Sequence, residues 1–160
     1  MANNQNICCP EFDIKYWDNK THVWQDKLFL KDEVKQIIHL PLNMGKVITR
    51  MWQKVDKAQA GPDTKDFLIL AYDPSPWKSE LYMTVTKNIP NANIAKVNGT
   101  FISKVFDGHY QSVPQWIQQM DKFLADQNQK AIKYYFHYAY CPKCAKKYGH
   151  NYCTAFAQIK

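Results

Sequence analysis

The sequence predicts a single α+β domain made of two tandem strand–helix–strand–strand (βαββ) units, and three observations carry that prediction. Apolar residues at three- and four-residue spacing mark one helix beginning at Asn43 and another after Ser112. Each helical stripe is followed by two strand-like runs joined by a turn. The halves also match by position. Met44, Val47, Ile48, Met51 and Val55 recur 69 residues on as Val113, Trp116, Ile117, Met120 and Leu124, Phe67 likewise as Phe136, and Tyr82 recurs 70 residues on as Tyr152. Two copies are too few for a solenoid. They predict one pseudo-symmetric domain with an antiparallel sheet, both helices on one face, and a cleft at the pseudo-twofold axis. The expected layout is an ordered N-terminal arm over 1–20, a first repeat over 21–90 and a second over 91–160.

Each element has a local reason. Pro10, Asp13, Asp18 and Asn19 punctuate the arm, while Cys8, Cys9, Phe12, Tyr16 and Trp17 are apolar enough to pack. Thr21 to Leu30 alternates in part and predicts a strand, as does Val34 to Leu40, which Pro41 stops. Asn43 is a candidate N-cap for the first helix, and Gly61-Pro62 ends that segment. Phe67 to Tyr72 and Glu80 to Thr86 predict a hairpin around a Pro-rich turn. In the second half, Thr100 to Phe106 is a strand, Asp107-Gly108-His109 a turn, and Ser112 a candidate cap with Pro114 in the first helical turn. Asn128 breaks that helix. Tyr134 to Cys141 and Tyr152 to Ile159 are the last strands, with a Lys-rich turn between them.

The chain has 160 residues, enough for one core-bearing domain, and 14% of them are aromatic. Its formal charge is +7. After Asp126 there is no acid, yet Lys130, Lys133, Lys143, Lys146, Lys147 and Lys160 follow. Such a basic end either attracts nucleic acid or acidic proteins or forms a solvated face; the solvated face is favoured, and nucleic acid is the less favoured partner. No run of apolar residues reaches the length of a membrane span, and Met1 to Cys9 has no leader pattern, so the expectation is a cytoplasmic protein with reduced thiols and no membrane partner. No phosphate-binding loop, dinucleotide fingerprint, His-Glu-x-x-His or Gly-x-Ser-x-Gly occurs, and no cofactor is called for.

The run Val105-Phe106-Asp107-Gly108-His109-Tyr110, leading into the helix with Trp116, resembles the strand, glycine turn, aromatic and helix pattern of the GyrI-like family, also called the SOUL/GyrI or tandem-SHS2 group. The resemblance spans about residues 25–159. It is nearest to a stand-alone branch with a Cys-Cys-Pro-Glu-Phe arm, a Lys-Leu-Phe strand and a Cys-Pro-Lys-Cys-Ala-Lys turn, here Cys8 to Phe12, Lys27 to Phe29 and Cys141 to Lys146. The resemblance implies a cleft for hydrophobic or aromatic small molecules. It further implies drug sensing, gyrase inhibition, or hydrolysis of strained cyclopropane rings in DNA-alkylating compounds as a detoxification.

The candidate residues follow from chemistry that such a cleft would need. Glu80 resembles, by position, an acid of the family, and a carboxylate among rings can act as general acid, general base or partner to a cation. The matching position in the second half is His150, and the last strand holds no acid. Tyr110 and His137 are the other candidate catalytic groups. Trp52, Trp77, Tyr82, Trp116, Tyr138 and Tyr152 are candidate ligand contacts, although aromatics at helical spacing more often fill a core and a histidine among aromatics is more often a packed one. Tyr82, Thr84 and Thr86 share one face of their strand, opposite Leu81, Met83 and Val85. In the last strand Tyr152, Thr154, Phe156 and Gln158 oppose Cys153, Ala155, Ala157 and Ile159.

Cys141 and Cys144 form one Cys-x-x-Cys, which reads as a structural turn, half of a zinc site, or a redox pair. Zinc would need two more ligands, for which Cys8, Cys9, Cys153 and His150 are the candidate types; the favoured expectation is a structural turn without metal. The sequence thus supports a small-molecule hydrolase first, a non-catalytic ligand-binding module second, and a macromolecular partner on the basic C-terminal hairpin third.

Overall fold

The computed structural model describes residues 9–38 and 40–159. In chain order its elements are α1 (Ile14–Trp17), β1 (Lys20–Ile37), β2 (Leu40–Pro41), α2 (Met44–Lys57), β3 (Ile69–Ser75), β4 (Lys78–Thr84), β5 (Ile94–Asp107), α3 (Val113–Ala125), β6 (Ala131–Tyr138), α4 (Pro142–Tyr148) and β7 (Tyr152–Ile159), with 3-10 turns at Thr64–Asp66 and Tyr110–Ser112. They divide into two compact units: a central unit, Trp24–Asn98, and a terminal unit, Met1–Val23 with Gly99–Lys160. The N-terminal arm thus belongs with the second half of the chain rather than the first. Cys8, singled out on the arm, lies outside the described residues. Among the described residues no helix is long and apolar enough to cross a membrane.

In the central unit β4 lies between β1 and β3, antiparallel to both. Leu30, Val34, Leu81, Met83 and Val85 pack against Val47, Met51 and Val55 of α2. This face is the one that the alternation of β4 assigns to packing. The helix begins where the apolar stripe predicts, but its cap differs. Asn43 occupies the N-cap position without a side-chain cap bond; its Oδ1 instead accepts the Lys35 N–H at 3.0 Å.

β1 is one strand where two are expected. The polar triplet Lys31-Asp32-Glu33 looks like a break, yet each charge has a cross-strand or helix partner. Asp32 faces α2 and takes a two-pronged hydrogen bond from Arg50, at 2.9 and 2.7 Å. On the opposite face Lys31 pairs with Glu80 at 3.3 Å and Glu33 with Lys78 at 3.3 Å. Glu33 and Glu80 sit directly opposite in register. Like charges so placed repel, and the two diagonal lysines offset that repulsion.

In the terminal unit β7 lies between β5 and β6, again antiparallel to both. Trp116, Met120 and Leu124 of α3 pack on Ile102, Phe106, Cys153, Ala155, Ala157 and Ile159. Here too the packing face of the last strand is the one that the alternation selects. β4 and β7 are thus the middle strands of their respective units. Ser112 stands at the N-cap of α3 without a side-chain cap bond; the 3-10 turn before it is capped by His109, whose Nδ1 accepts the Gln111 N–H at 3.3 Å. Gly108 has φ +153°, and a Cβ there would sit 3.3 Å from the Trp116 ring, so the turn needs a residue without one. The Lys-rich segment is not a bare turn but the helix α4, with Cys141 at its N-cap and Gly149 closing it at φ +73°.

The Asp32–Arg50 pair sets a pH dependence. Burial pushes the Asp32 carboxyl up, but the hydrogen bond from Arg50, the Glu33 N–H and the charges of Arg50 and Lys54 outweigh it and hold Asp32 below the usual range. A lowered folded pKa stabilises above the unfolded value near about 4 and loses that contribution as pH falls through the folded value. Because Arg50 is half-exposed, Arg50→Gln is expected to cost only about 0.5–1 kcal/mol at neutral pH. Denaturant titrations should show the wild-type advantage vanish in acid; an advantage unchanged below the carboxylate range contradicts the assignment.

Candidate functional site

The face of β4 that α2 leaves uncovered carries Lys78, Glu80, Tyr82 and Thr84, because side chains alternate along a strand. Glu80 Oε1 accepts the Tyr82 hydroxyl at 2.9 Å, and Oε2 faces Lys31 Nζ at 3.3 Å. The same ammonium lies 5.7 Å over the Tyr82 ring. Tyr72 stands directly across from Glu80 on β3. The Glu80 side chain is only 13% exposed, so a carboxylate with a phenol and an ammonium in contact is held largely away from water. Phe29 meets the Tyr82 ring edge-on at 6.2 Å and fixes its orientation. This arrangement can accept a proton, hold a water or pair with a cation.

Other expected contacts of the central unit fall elsewhere. Trp52 is on α2, stacked on Phe67 at 4.7 Å and packed against the core. Trp77 sits in the β3–β4 turn at 60% exposure. Lys31 and Tyr72 were missed. Lys31 hides in the triplet that reads as a break, and Tyr72 is the end of the β3 run, which the hairpin register places opposite Glu80.

In the terminal unit the matching face carries His137, Tyr152, Thr154 and Phe156. The arm covers it. Phe12 packs on His137 and Tyr152, with ring centroids at 6.1 and 5.8 Å, and Trp17 packs on Phe156 at 5.6 Å. The Asp18 carboxylate accepts the Val105 N–H at 2.9 Å, and Ser103 donates to the Trp17 carbonyl at 2.5 Å. Along the arm runs a cleft of about 330 Å³ lined by Glu11 to Lys15 and by Tyr140, Tyr148, His150 and Tyr152. Tyr140 and Tyr148 stack at 4.6 Å, and His150 stacks on Tyr152 at 4.9 Å. His150 Nδ1 is 2.8 Å from Asp107. Burial raises the Asp107 pKa, but hydrogen bonds from Asn151 and His150 outweigh that and hold it below its usual range. Thr154 Oγ1 is buried with no hydrogen-bond partner among the described residues, opposite His137 in register.

His137 is 5% exposed and packed rather than open to solvent. Trp116 is core, stacked on Phe106 at 5.4 Å; a ligand contact there is at odds with its burial. Tyr110 is exposed in the 3-10 turn before α3, its ring 4.2 Å from that of His109. Tyr138 points with Tyr134 and Phe136 to the helix side of β6 and is 37% exposed. Tyr152 lines the arm cleft. Cys141 and Cys144 join Cys9, the three sulfurs lying within 4.8 Å of one another. Burial pushes the Cys153 thiol far up, as befits its place in the core behind α3.

The family described as bacterial hydrolase matches residues 1–159. No curated protein matches the sequence. Among solved structures, a hydrolase from Listeria innocua is similar at TM-score 0.64 and 10% identity, covering 89% of this chain and 92% of that one. The C-terminal domain of EcmrR is similar at TM-score 0.66 and 13% identity, covering 90% and 98%. SAV2435 bound to tetraphenylphosphonium is similar at TM-score 0.51 and 9% identity, covering 89% and 94%. At these identities the likeness is one of fold, and the fold is the GyrI-like one.

The arm is held by the Phe12 N–H, which donates to the Tyr140 hydroxyl oxygen at 2.8 Å. Tyr140→Phe removes that acceptor and is expected to speed exchange of the Phe12 amide about 2- to 10-fold, as befits a hydrogen bond of about 0.5–1.5 kcal/mol. Hydrogen exchange read by NMR checks it; an unchanged rate would mean that the rings alone hold the arm.

Proposed function

We propose, from the premise that this chain belongs to the bacterial hydrolase family, that it is a GyrI-like hydrolase of hydrophobic, electrophilic small molecules, with Glu80 as its general base. The observation that carries this reading is the screened carboxylate itself: Glu80 in contact with Tyr82 and Lys31, with Tyr72 across the hairpin. The hydrophobic electrophile fits the rings that surround it. The substrate class we favour is the strained cyclopropane conjugated to a carbonyl, and the role is detoxification. In that reaction water attacks a ring carbon and Glu80 takes a proton from it. The strained carbon–carbon bond breaks, and its electron pair passes into the conjugated carbonyl. Once Glu80 is protonated, the Tyr82 hydroxyl turns to the developing oxyanion, and the proton on Glu80 then passes to that oxygen or to the adjacent carbon, which restores the carboxylate and completes the addition of one water. Lys31 pairs with Glu80 directly, at 3.3 Å, and orients it.

A second reading is favoured by the same residues. A carboxylate between phenol rings also suits a lipophilic cation, and a protein of this fold is bound to tetraphenylphosphonium. On that reading the chain binds and sequesters without turnover. The shared element order of the two units supports reading them as copies of one ancestral unit, whose last strand supplies the ligand face each time.

Incubation with cyclopropane-bearing alkylators, followed by mass spectrometry of the small molecules, separates the readings. Hydrolysis adds one water, and Glu80→Gln is expected to slow it about 10²- to 10⁴-fold while leaving binding intact. Turnover that survives Glu80→Gln refutes the base. Unchanged compounds that raise the melting temperature point instead to the binding module.

A further inference from the structure

Two segments singled out in the sequence for their cysteines, the arm at Cys9 and the Cys-x-x-Cys at 141–144, meet in the terminal unit. Cys141 caps the N-terminus of α4 and Cys144 lies three residues on, so both sulfurs stand on the same side of the helix start. The arm brings Cys9 to them. Its carbonyl accepts the Tyr148 hydroxyl at 2.9 Å, and its sulfur accepts the Cys141 N–H at 3.4 Å. All three sulfurs then lie within 4.8 Å of one another.

We propose that Cys9, Cys141 and Cys144 form a three-thiolate site for zinc, which clips the N-terminal arm to α4. A zinc–sulfur bond of about 2.3 Å in tetrahedral geometry separates neighbouring sulfurs by about 3.8 Å, so side-chain adjustments of about an ångström complete the site. Cys9 and Cys141 are half-buried and Cys144 buried, so an ion enters from solvent and the fourth position remains for water. The backbone N–H aimed at Cys9 sulfur is the kind of outer contact that steadies a coordinating thiolate. Three thiolates on a divalent ion leave one negative charge, and Lys146 and Lys147 lie in the last turn of the same helix to offset it. Cys153 takes no part, being buried in the core behind α3. The site lies in the segment that holds Phe12 over His137 and Tyr152, so zinc would fix the cover of the arm cleft.

The test uses the full chain, reduced and stripped with a chelator, then titrated with zinc and separately with cobalt(II). One ion per chain is expected by native mass spectrometry, with a near-ultraviolet sulfur-to-cobalt charge-transfer band. Cys9→Ser, a change on the half-buried arm that spares the core, should weaken zinc by more than about 100-fold, beyond what loss of an outer contact costs. Cys153→Ser should leave affinity and the cobalt band unchanged. Zinc should also slow amide exchange over residues 11–13 in the wild type and not in Cys9→Ser. The proposal is overturned by failure of the stripped protein to bind either ion, by equal affinity in Cys9→Ser, or by a disulfide between two of the three cysteines in a glutathione buffer poised like the cytosol.

Discussion

The structure depends on one geometric constraint: a strand sends neighbouring side chains to opposite faces, and β4 and β7 each give one face wholly to a helix. Leu81 and Met83 face α2, and Cys153, Ala155, Ala157 and Ile159 face α3. What remains on the other face is polar and aromatic by construction. Because β4 and β7 are each the middle strand of their unit, partners flank them on both sides. Glu80 and Tyr82 are therefore held by hydrogen-bonded backbone rather than by a loop. A slip of one residue in β4 would bury the Glu80 carboxylate against the helix, and a slip in either strand would expose its aliphatic row.

The balance of charges around β4 follows from the same register. Lys31 opposite Tyr82 and Glu33 opposite Glu80 put acids side by side, which is tolerated because each has a diagonal lysine within reach. The Lys78–Glu33 pair is half-exposed and contributes little to stability, whereas the Lys31–Glu80 pair is more shielded, at 27% and 13% exposure. Lys31 Nζ stands 3.3 Å from Glu80 and 5.7 Å over the Tyr82 ring, so it ties the two side chains together.

Much of this was legible in the sequence where periodicity is strong. The stripes of α2 and α3, the packing face of β4 and the whole of β7 lie where alternation and helical spacing put them. The continuous β1 was not legible, since a run of three charged residues looks like a loop until the strand that neutralises it is known. Nor was α4, because Pro142 and three lysines match a turn as well as a short helix ended by a left-handed glycine. The faces that carry Tyr82 and Tyr152 were readable from alternation along a strand. Trp116 misled because stacking on Phe106 uses the ring in the core. Cys9 could be listed among possible partners of Cys141 and Cys144, but no local pattern says that residues 132 apart in sequence will touch.

The arm has a consequence for how the chain is made. Its contacts, Asp18 to Val105, Trp17 to Phe156 and Phe12 to Tyr140, reach to segments synthesised after the central unit. The arm must therefore wait for the strands of the terminal unit. Meanwhile the central unit has every strand and helix of its own core. Vectorial synthesis lets it consolidate first, with Phe12 and Trp17 exposed to solvent or to a chaperone until β7 emerges. Closure of the terminal unit is then the high-contact-order, slow step, and a nascent chain truncated before β7 would display an aromatic arm with nothing to cover.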